Sequence, residues 1–321
     1  MNSEKDENAM PGYTRPGTLP ASRCLRCGAD YGQRPGMKPL IAILALATFA
    51  SAAPIKVLIV DGQNNHDWKR TTPVLKAILE EPGVFSVEVA TSPGGGEFAA
   101  WLPKFSDYAV VVSNYNGKLW PDAMRDAFEK FVSEGGGFVS VHAADNSFPE
   151  WKAYNEMIGL GGWGGRNEKS GPYLRLRDGK WTPDTTPGAG GSHGSQHEFP
   201  MNTRTPEHPI MAGLPAAWMH RQDELYNRLR GPANNVTVLA SAMSPKNKGG
   251  TGEEEPLIMA ITFGKGRVLH NALGHGMEAV QCKGFAVTLQ RGVEWAATGK
   301  VTQKVPADFP DATASKVWPT K

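Results

Sequence analysis

The chain has 321 residues, 40% of them apolar and 21% charged, with a formal net charge of +2; that length supports a substantial core, and the composition excludes a polytopic membrane protein and a mainly disordered chain. Residues 1–52 hold six of the 34 Lys and Arg and four of the 32 Asp and Glu, which leaves 28 against 28 in the remainder. Such a balanced surface offers no basic face to a nucleic acid.

In chain order, the first signal is Met37-Lys38-Pro39, an apolar run over 40–49, and then Ala50-Ser51-Ala52-Ala53. A basic start, an apolar stretch and a small-residue cleavage site are the parts of an export signal. The run is too short for a permanent span, which needs about 20 apolar residues. The expected division is therefore a leader over 1–36 lying upstream of a true start at Met37, a signal over 37–52 cut near Ala52, an α/β domain over 53–299 and an extended tail over 300–321. The leader's Cys24-Leu25-Arg26-Cys27 is a lone pair without nearby His and is not read as a zinc site. Once the signal is removed only Cys282 remains, which excludes an intramolecular disulfide and suits a buried, inert thiol. The destination is the periplasm or the cell exterior.

The apolar run over 55–60, closed by Asp61-Gly62, reads as a strand covered on both faces. Thr72 as cap, Pro73 as first residue and Val74, Leu75 and Ile78 as apolar face predict a helix ended by Pro82-Gly83. A less buried strand over 85–90, a buried one over 108–113, a helix over 121–134 and a strand over 138–141 follow. This alternation predicts a doubly wound, mostly parallel α/β sheet. Residues 159–207 are rich in Gly, Pro, Ser and Thr and read as a functional loop or lid. Strands return over 236–241, 257–263 and 267–269, and Phe285, Leu289, Val293 and Ala296 mark a last helix closed by Gly299.

In an open α/β sheet the ligand crevice lies beyond the carboxyl ends of the strands. That rule selects Asn65, His66 and Trp68 after the first strand, Asn114 and Tyr115 after the third, His142, Asp145 and Asn146 after the fourth, and His275 after the last. Three imidazoles on one edge favour a function over three unrelated structural roles, because histidine has both protonation states available near neutrality. His193 and His197 stand four apart, but their Gly-rich flanks speak against a helix and hence against a metal pair there; His208-Pro209 reads as a turn. Asp223, Glu224 and Tyr226 offer two acids and a phenol, either as site groups or as a solvated turn. Trp68, Tyr115, Trp120, Phe148, Trp151 and Trp163 stand beside these loops, and flat rings among Asn, Asp and His suit a sugar, although core packing would explain some of them. No phosphate-binding glycine motif follows the first strand, so nucleotide binding is disfavoured.

Lys56-Val57-Leu58-Ile59-Val60-Asp61-Gly62 with His66, the stretch Gly135-Gly136-Gly137-Phe138-Val139-Ser140-Val141-His142, His208-Pro209-Ile210 with Gly213-Leu214-Pro215, Asp223-Glu224-Leu225-Tyr226, and Gly264-Lys265-Gly266-Arg267-Val268 leading to Leu273-Gly274-His275 occur in that order. Together they resemble the ThuA-like (trehalose utilisation) family over residues 55–299. The resemblance implies a three-layer, flavodoxin-like α/β fold similar to class I glutamine amidotransferases and a role with disaccharides or their 3-keto forms. It also implies that His142 stands where those amidotransferases carry a nucleophilic Cys, which disfavours glutaminase chemistry.

The expectation is thus an exported protein acting on a glycoside, disaccharide or keto-sugar, as an isomerase, lyase or hydrolase. His66, His142, His275 and Glu224 would be catalytic, and Asn65, Trp68, Asn114, Tyr115, Asp145, Asn146, Trp163, Asp223 and Tyr226 would bind the ligand. No cofactor is evident, and a divalent metal on His142 and His275 stays open. A non-catalytic carbohydrate-binding protein is the alternative, and an amidotransferase-related hydrolase the third reading, opposed by the missing nucleophile elbow motif.

Overall fold

A computed structural model describes residue 32 and residues 53–95 and 97–319. The expected leader and signal segment therefore lie outside the described residues, apart from Gly32. The described elements are β1 (Ile55–Asp61), α1 (Trp68–Glu80), β2 (Phe85–Thr91), β3 (Val110–Ser113), α2 (Asp122–Ser133), β4 (Gly137–Val141), α3 (Lys152–Ile158), β5 (Tyr173–Arg177), β6 (Lys180–Asp184), β7 (Ser192–His193), β8 (His197–Thr203), β9 (Ala217–Asp223), β10 (Tyr226–Asn227), β11 (Val236–Met243), β12 (Glu254–Phe263), β13 (Gly266–Asn271), α4 (Met277–Val280) and α5 (Lys283–Thr298). Among them no helix is long and apolar enough to cross a membrane.

Nine strands form one central sheet in the order β2-β1-β3-β4-β13-β12-β11-β8-β9. The pairings from β2 through β13 are parallel, and those from β13 through β9 are antiparallel. The sheet is therefore mixed, where the sequence led us to expect a mostly parallel one. The parallel half comes from the segments with the clearest alternation. Strands β3 and β4 are buried along their whole length, whereas β2 at the sheet edge alternates, with Val89 exposed. Helices α1 and α5 pack on each other and on this half, and α3 packs on β12 and β13.

Helix α1 starts at Trp68, four residues before the expected cap, and holds Pro73 in its interior. Pro73 is the sixth residue of the helix, so the early start forgoes one intrahelical bond, to the Lys69 carbonyl. The segment 159–207 is not one loop. It contains the β5–β6 hairpin, half of the β7–β10 ribbon and the inner strand β8. Pro200 within β8 and the short register between β8 and β11, two residue pairs, explain why this strand leaves so weak a trace in the sequence. The tail beyond Gly299 lacks helix and, apart from one bridge between Val317 and Cys282, strand. It ends against the body: Trp318 is buried and donates from its indole to Glu81.

Candidate active site

Strands β1 and β3 are neighbours while the chain between them visits β2, so the order reverses there and opens a crevice at the carboxyl ends of the strands. His66 arrives from the loop after β1. That loop turns at Gly62, whose φ of +108° and close approach to Ser92 leave no room for a Cβ. His142 is the residue after β4 and has a φ of 45°, an uncommon conformation for a non-glycine residue and one often kept at functional sites. The chain thus turns sharply at the end of β4, with an imidazole at the turn. His275 follows β13, and Glu224 follows β9 from the far antiparallel edge.

These four side chains meet. The ring centres of His66 lie 4.8 Å from His142 and 4.6 Å from His275. Glu224 Oε2 lies 3.0 Å from His275 Nδ1, 3.7 Å from His142 Nε2 and 3.9 Å from His66 Nε2. His193 brings a fourth imidazole, with Nε2 3.6 Å from Glu224 Oε1. It gets there because β7 pairs with β10, which sets His193 opposite Tyr226. Sequence reasoning gave His193 no role; the only signal was its place in a segment read as a functional loop.

The tautomers follow from the hydrogen bonds. His142 Nδ1 lies 2.8 Å from the Ala272 carbonyl and must donate to it. The amide of Asn64 donates to the Asn114 carbonyl, which turns its Oδ1 toward His66 Nδ1 at 3.2 Å. In the neutral form of both rings the lone pair is then on Nε2, facing Glu224. Burial alone would raise the Glu224 carboxyl, but the imidazoles of His142, His275 and His66 outweigh it and hold the group far below the usual carboxylate range. For His142, burial would lower the imidazole, and the carboxylates of Glu224 and Asp223 instead draw it up. His66 moves down, through burial and the two neighbouring imidazoles, despite Glu224.

Asp223 anchors this arrangement from behind. Its carboxylate accepts from the backbone N–H groups of Glu224, Gly274 and His275 at 2.8–3.0 Å and lies 2.9 Å from His220 Nε2. It is buried, so it positions two members of the cluster and does not reach a ligand, contrary to the expectation of a binding role. Four further expected binding residues also lie outside the crevice. Asn114 is buried and donates to Thr71 and Thr72. Tyr115 is enclosed by Trp120 and Phe148, with its hydroxyl on the Lys118 carbonyl. Asp145 is buried 3.2 Å from His270. Trp68 starts α1 under Lys69. A polar or aromatic side chain at a strand end can turn back into the protein as readily as outward, and Asn114, Tyr115 and Asp145 find partners there, whereas Trp68 stays half-buried on α1.

What lines the crevice is Asn65, His66, Asn146, Trp163, Glu224, Tyr226 and His275, joined by Asn116 and His193, around a cavity of 510 Å³. A second lobe of 390 Å³, with Arg70, Gln196, Gln222 and Glu278, shares Asn65, His66 and His275 with it. Trp120, Phe148 and Trp151 instead pack with Phe128 in the core. Cys282 is buried at the start of α5, and His208 sits in a turn, as expected. A separate 540 Å³ hollow between the β5–β6 hairpin and β11 holds Arg204, which is already bound to Ser241 and Glu254.

A mixed α/β sheet with imidazoles and a carboxylate gathered at its strand-end crevice defines the class of protein. The family model described as trehalose utilisation (ThuA) matches residues 56–296, and the chain belongs to that family. A ThuA-like protein of Parabacteroides merdae of known structure is 48% identical, with a TM-score of 0.81, over 83% of this chain and 98% of that one. A ThuA-like protein of Bacteroides uniformis shares the fold at 22% identity and a TM-score of 0.55, over 78% of this chain and 96% of the other. None of the curated proteins compared with the chain matches it.

Proposed function

We propose that this chain is an exported enzyme acting on a glycoside, disaccharide or keto-sugar, by imidazole acid–base chemistry in the two-lobed crevice. The observation that carries the reading is the convergence of four imidazoles and one carboxylate between an aromatic, amide-lined lobe and a second polar lobe. The indole of Trp163 suits the apolar face of a sugar ring, and Asn65, Asn116 and Asn146 suit its hydroxyls. Membership of a family described as trehalose utilisation supports the ligand class. His193 is the member best placed to exchange protons with ligand and solvent, because 38% of its side chain is exposed while His142 is enclosed. Glu224, His66, His142 and His275 form the charged floor against which a hydroxyl or carbonyl oxygen rests. A purely binding protein would use the tryptophan and the amides but would have no need of so many titratable groups. An amidotransferase-related reaction lacks a nucleophile, since Cys282 is buried away from the crevice.

The test is incubation of the purified chain with a panel of glycosides and 3-keto-glycosides, read by mass spectrometry. Turnover is expected for at least one of them, with His193→Ala reducing it about 10²- to 10⁴-fold while the sugar still binds. Binding without turnover would establish the non-catalytic alternative, and neither binding nor turnover would overturn the carbohydrate reading. N-terminal sequencing of the exported form should begin near Ala53; finding residues 1–36 attached would overturn export by this signal.

A further inference from the structure

His66, His142, His275 and Glu224 each offer one ligand atom, and these atoms all lie within 4.8 Å of one another. The hydrogen bonds to the Ala272 carbonyl and to Asn64 Oδ1 force both Nε2 lone pairs inward. His142 is buried, with 2% of its surface exposed, and its Nε2 has no hydrogen-bond partner. His275 Nδ1 likewise makes no hydrogen bond, although it lies 3.0 Å from Glu224 Oε2. Lone pairs and a carboxylate pointed at a common centre repel one another unless a cation stands between them.

Two kinds of cation could do so: a proton on an imidazole, or a metal ion. The distances distinguish them. His142 Nε2 and His66 Nε2 lie 3.7 and 3.9 Å from Glu224 Oε2, beyond the reach of a shared proton, and His275 Nδ1, although within reach at 3.0 Å, makes no hydrogen bond to it. Donors about 2.1 Å from one zinc-class ion, at angles of 90–120°, stand about 3.0–3.6 Å apart. Of the observed separations, 3.0 Å falls within that spacing and 3.7 and 3.9 Å lie just beyond it, so the donors would close by a few tenths of an ångström around an ion. The backbone carbonyl behind His142 and the amide oxygen behind His66 are the second contacts that metal-bound imidazoles commonly make. We infer that His66 Nε2, His142 Nε2, His275 Nδ1 and Glu224 Oε2 form a binding site for one divalent transition-metal ion. Three imidazoles and a carboxylate suit zinc, iron or cobalt better than magnesium or calcium. An ion there would polarise a carbonyl or hydroxyl oxygen in the crevice. His193 would remain outside the donor set, free to carry protons.

The inference needs only the donor set and is tested without a sugar, so its failure and that of the carbohydrate reading are separate. The full chain is stripped with a chelator and titrated with Zn²⁺, Co²⁺ and Mn²⁺, with metal content measured after gel filtration and folding checked by circular dichroism. One equivalent of Zn²⁺ or Co²⁺ is expected, with Co²⁺ giving visible absorption of a four- or five-coordinate site. Glu224→Gln and His275→Ala should each weaken uptake by at least about 10- to 100-fold. His275 is partly exposed, so its variant guards against a folding failure in the other. A loss in either folded variant places the ion on this cluster. Absence of uptake of all three ions by the stripped, folded chain, or uptake equal to wild type in both variants, would overturn the inference.

Discussion

The two halves of the central sheet divide the work differently. The parallel half, β2-β1-β3-β4-β13, is continuous apolar strand and regular helix, and it sets His66, His142 and His275 at one edge. The antiparallel half and its ribbons are irregular, with a register shift in β8–β9 and a proline in β8. They nonetheless deliver Glu224, His193 and Tyr226, and the loop beyond α3 delivers Trp163. The regular half contributes three imidazoles and the amides of Asn65, Asn116 and Asn146; the irregular half adds the carboxylate of Glu224, the fourth imidazole and the phenol of Tyr226. A reactive centre can therefore depend on the region whose sequence pattern is least informative, because it needs side chains in position more than it needs repeating backbone.

Substitutions in the two halves should separate these contributions. The largest effect is expected for Glu224→Gln, which removes the one carboxylate that, among the described residues, faces the four imidazoles: turnover on the best sugar substrate should fall about 10²- to 10⁴-fold per folded molecule. Equal activity per folded molecule would show that the irregular half contributes shape alone. In the regular half, Phe128→Ala should cost about 3–5 kcal/mol in denaturant unfolding, since the ring is fully buried among Phe105, Trp120, Phe138 and Trp151. Activity in the folded fraction should persist; its loss would mean that the core tunes the site directly.

The edge strand β9, where it packs on α4 and α5, should respond to pH. Burial would lower the His220 imidazole, but Cys282 and Asp223 beside it push it up to about 10, above the ordinary 6.5. A group raised on folding stabilises the protein fully below its unfolded value, and that contribution is lost as pH rises toward the folded one. Melting temperature should therefore decline between pH 7 and 10, and His220→Asn should flatten that decline. An unchanged slope in the variant would show that His220 is not the titrating group. The smallest effect is expected at Trp163→Ala, where loss of stacking worth about 0.5–1.5 kcal/mol should weaken sugar binding about 2- to 12-fold in calorimetry, with turnover at saturation preserved. A large fall in that turnover would give the indole a part in the reaction beyond holding the ring.

Much of the parallel half was legible from one sequence. Apolar runs over 55–60 and 138–141 and the i, i+4, i+7 apolar spacing of α2 are local consequences of strand and helix geometry. Since the strand-end rule is topological, it also placed His66, His142 and His275 on one edge. What the sequence left open was which way a strand-end side chain turns: Asn114, Tyr115 and Asp145 found partners inside the protein, whereas Asn65 and Asn146 face the crevice. The strands β8 and β9 and the role of His193 were equally hidden, because they depend on pairings with no local periodicity. His193 reaches Glu224 only because β7 pairs with β10 across more than thirty residues, and Glu224 is held there because Asp223 accepts from its own backbone N–H and from those of Gly274 and His275, some fifty residues away. Local pattern decided which residues could stand at the crevice, and long-range hydrogen bonding and burial decided which of them face one another across it.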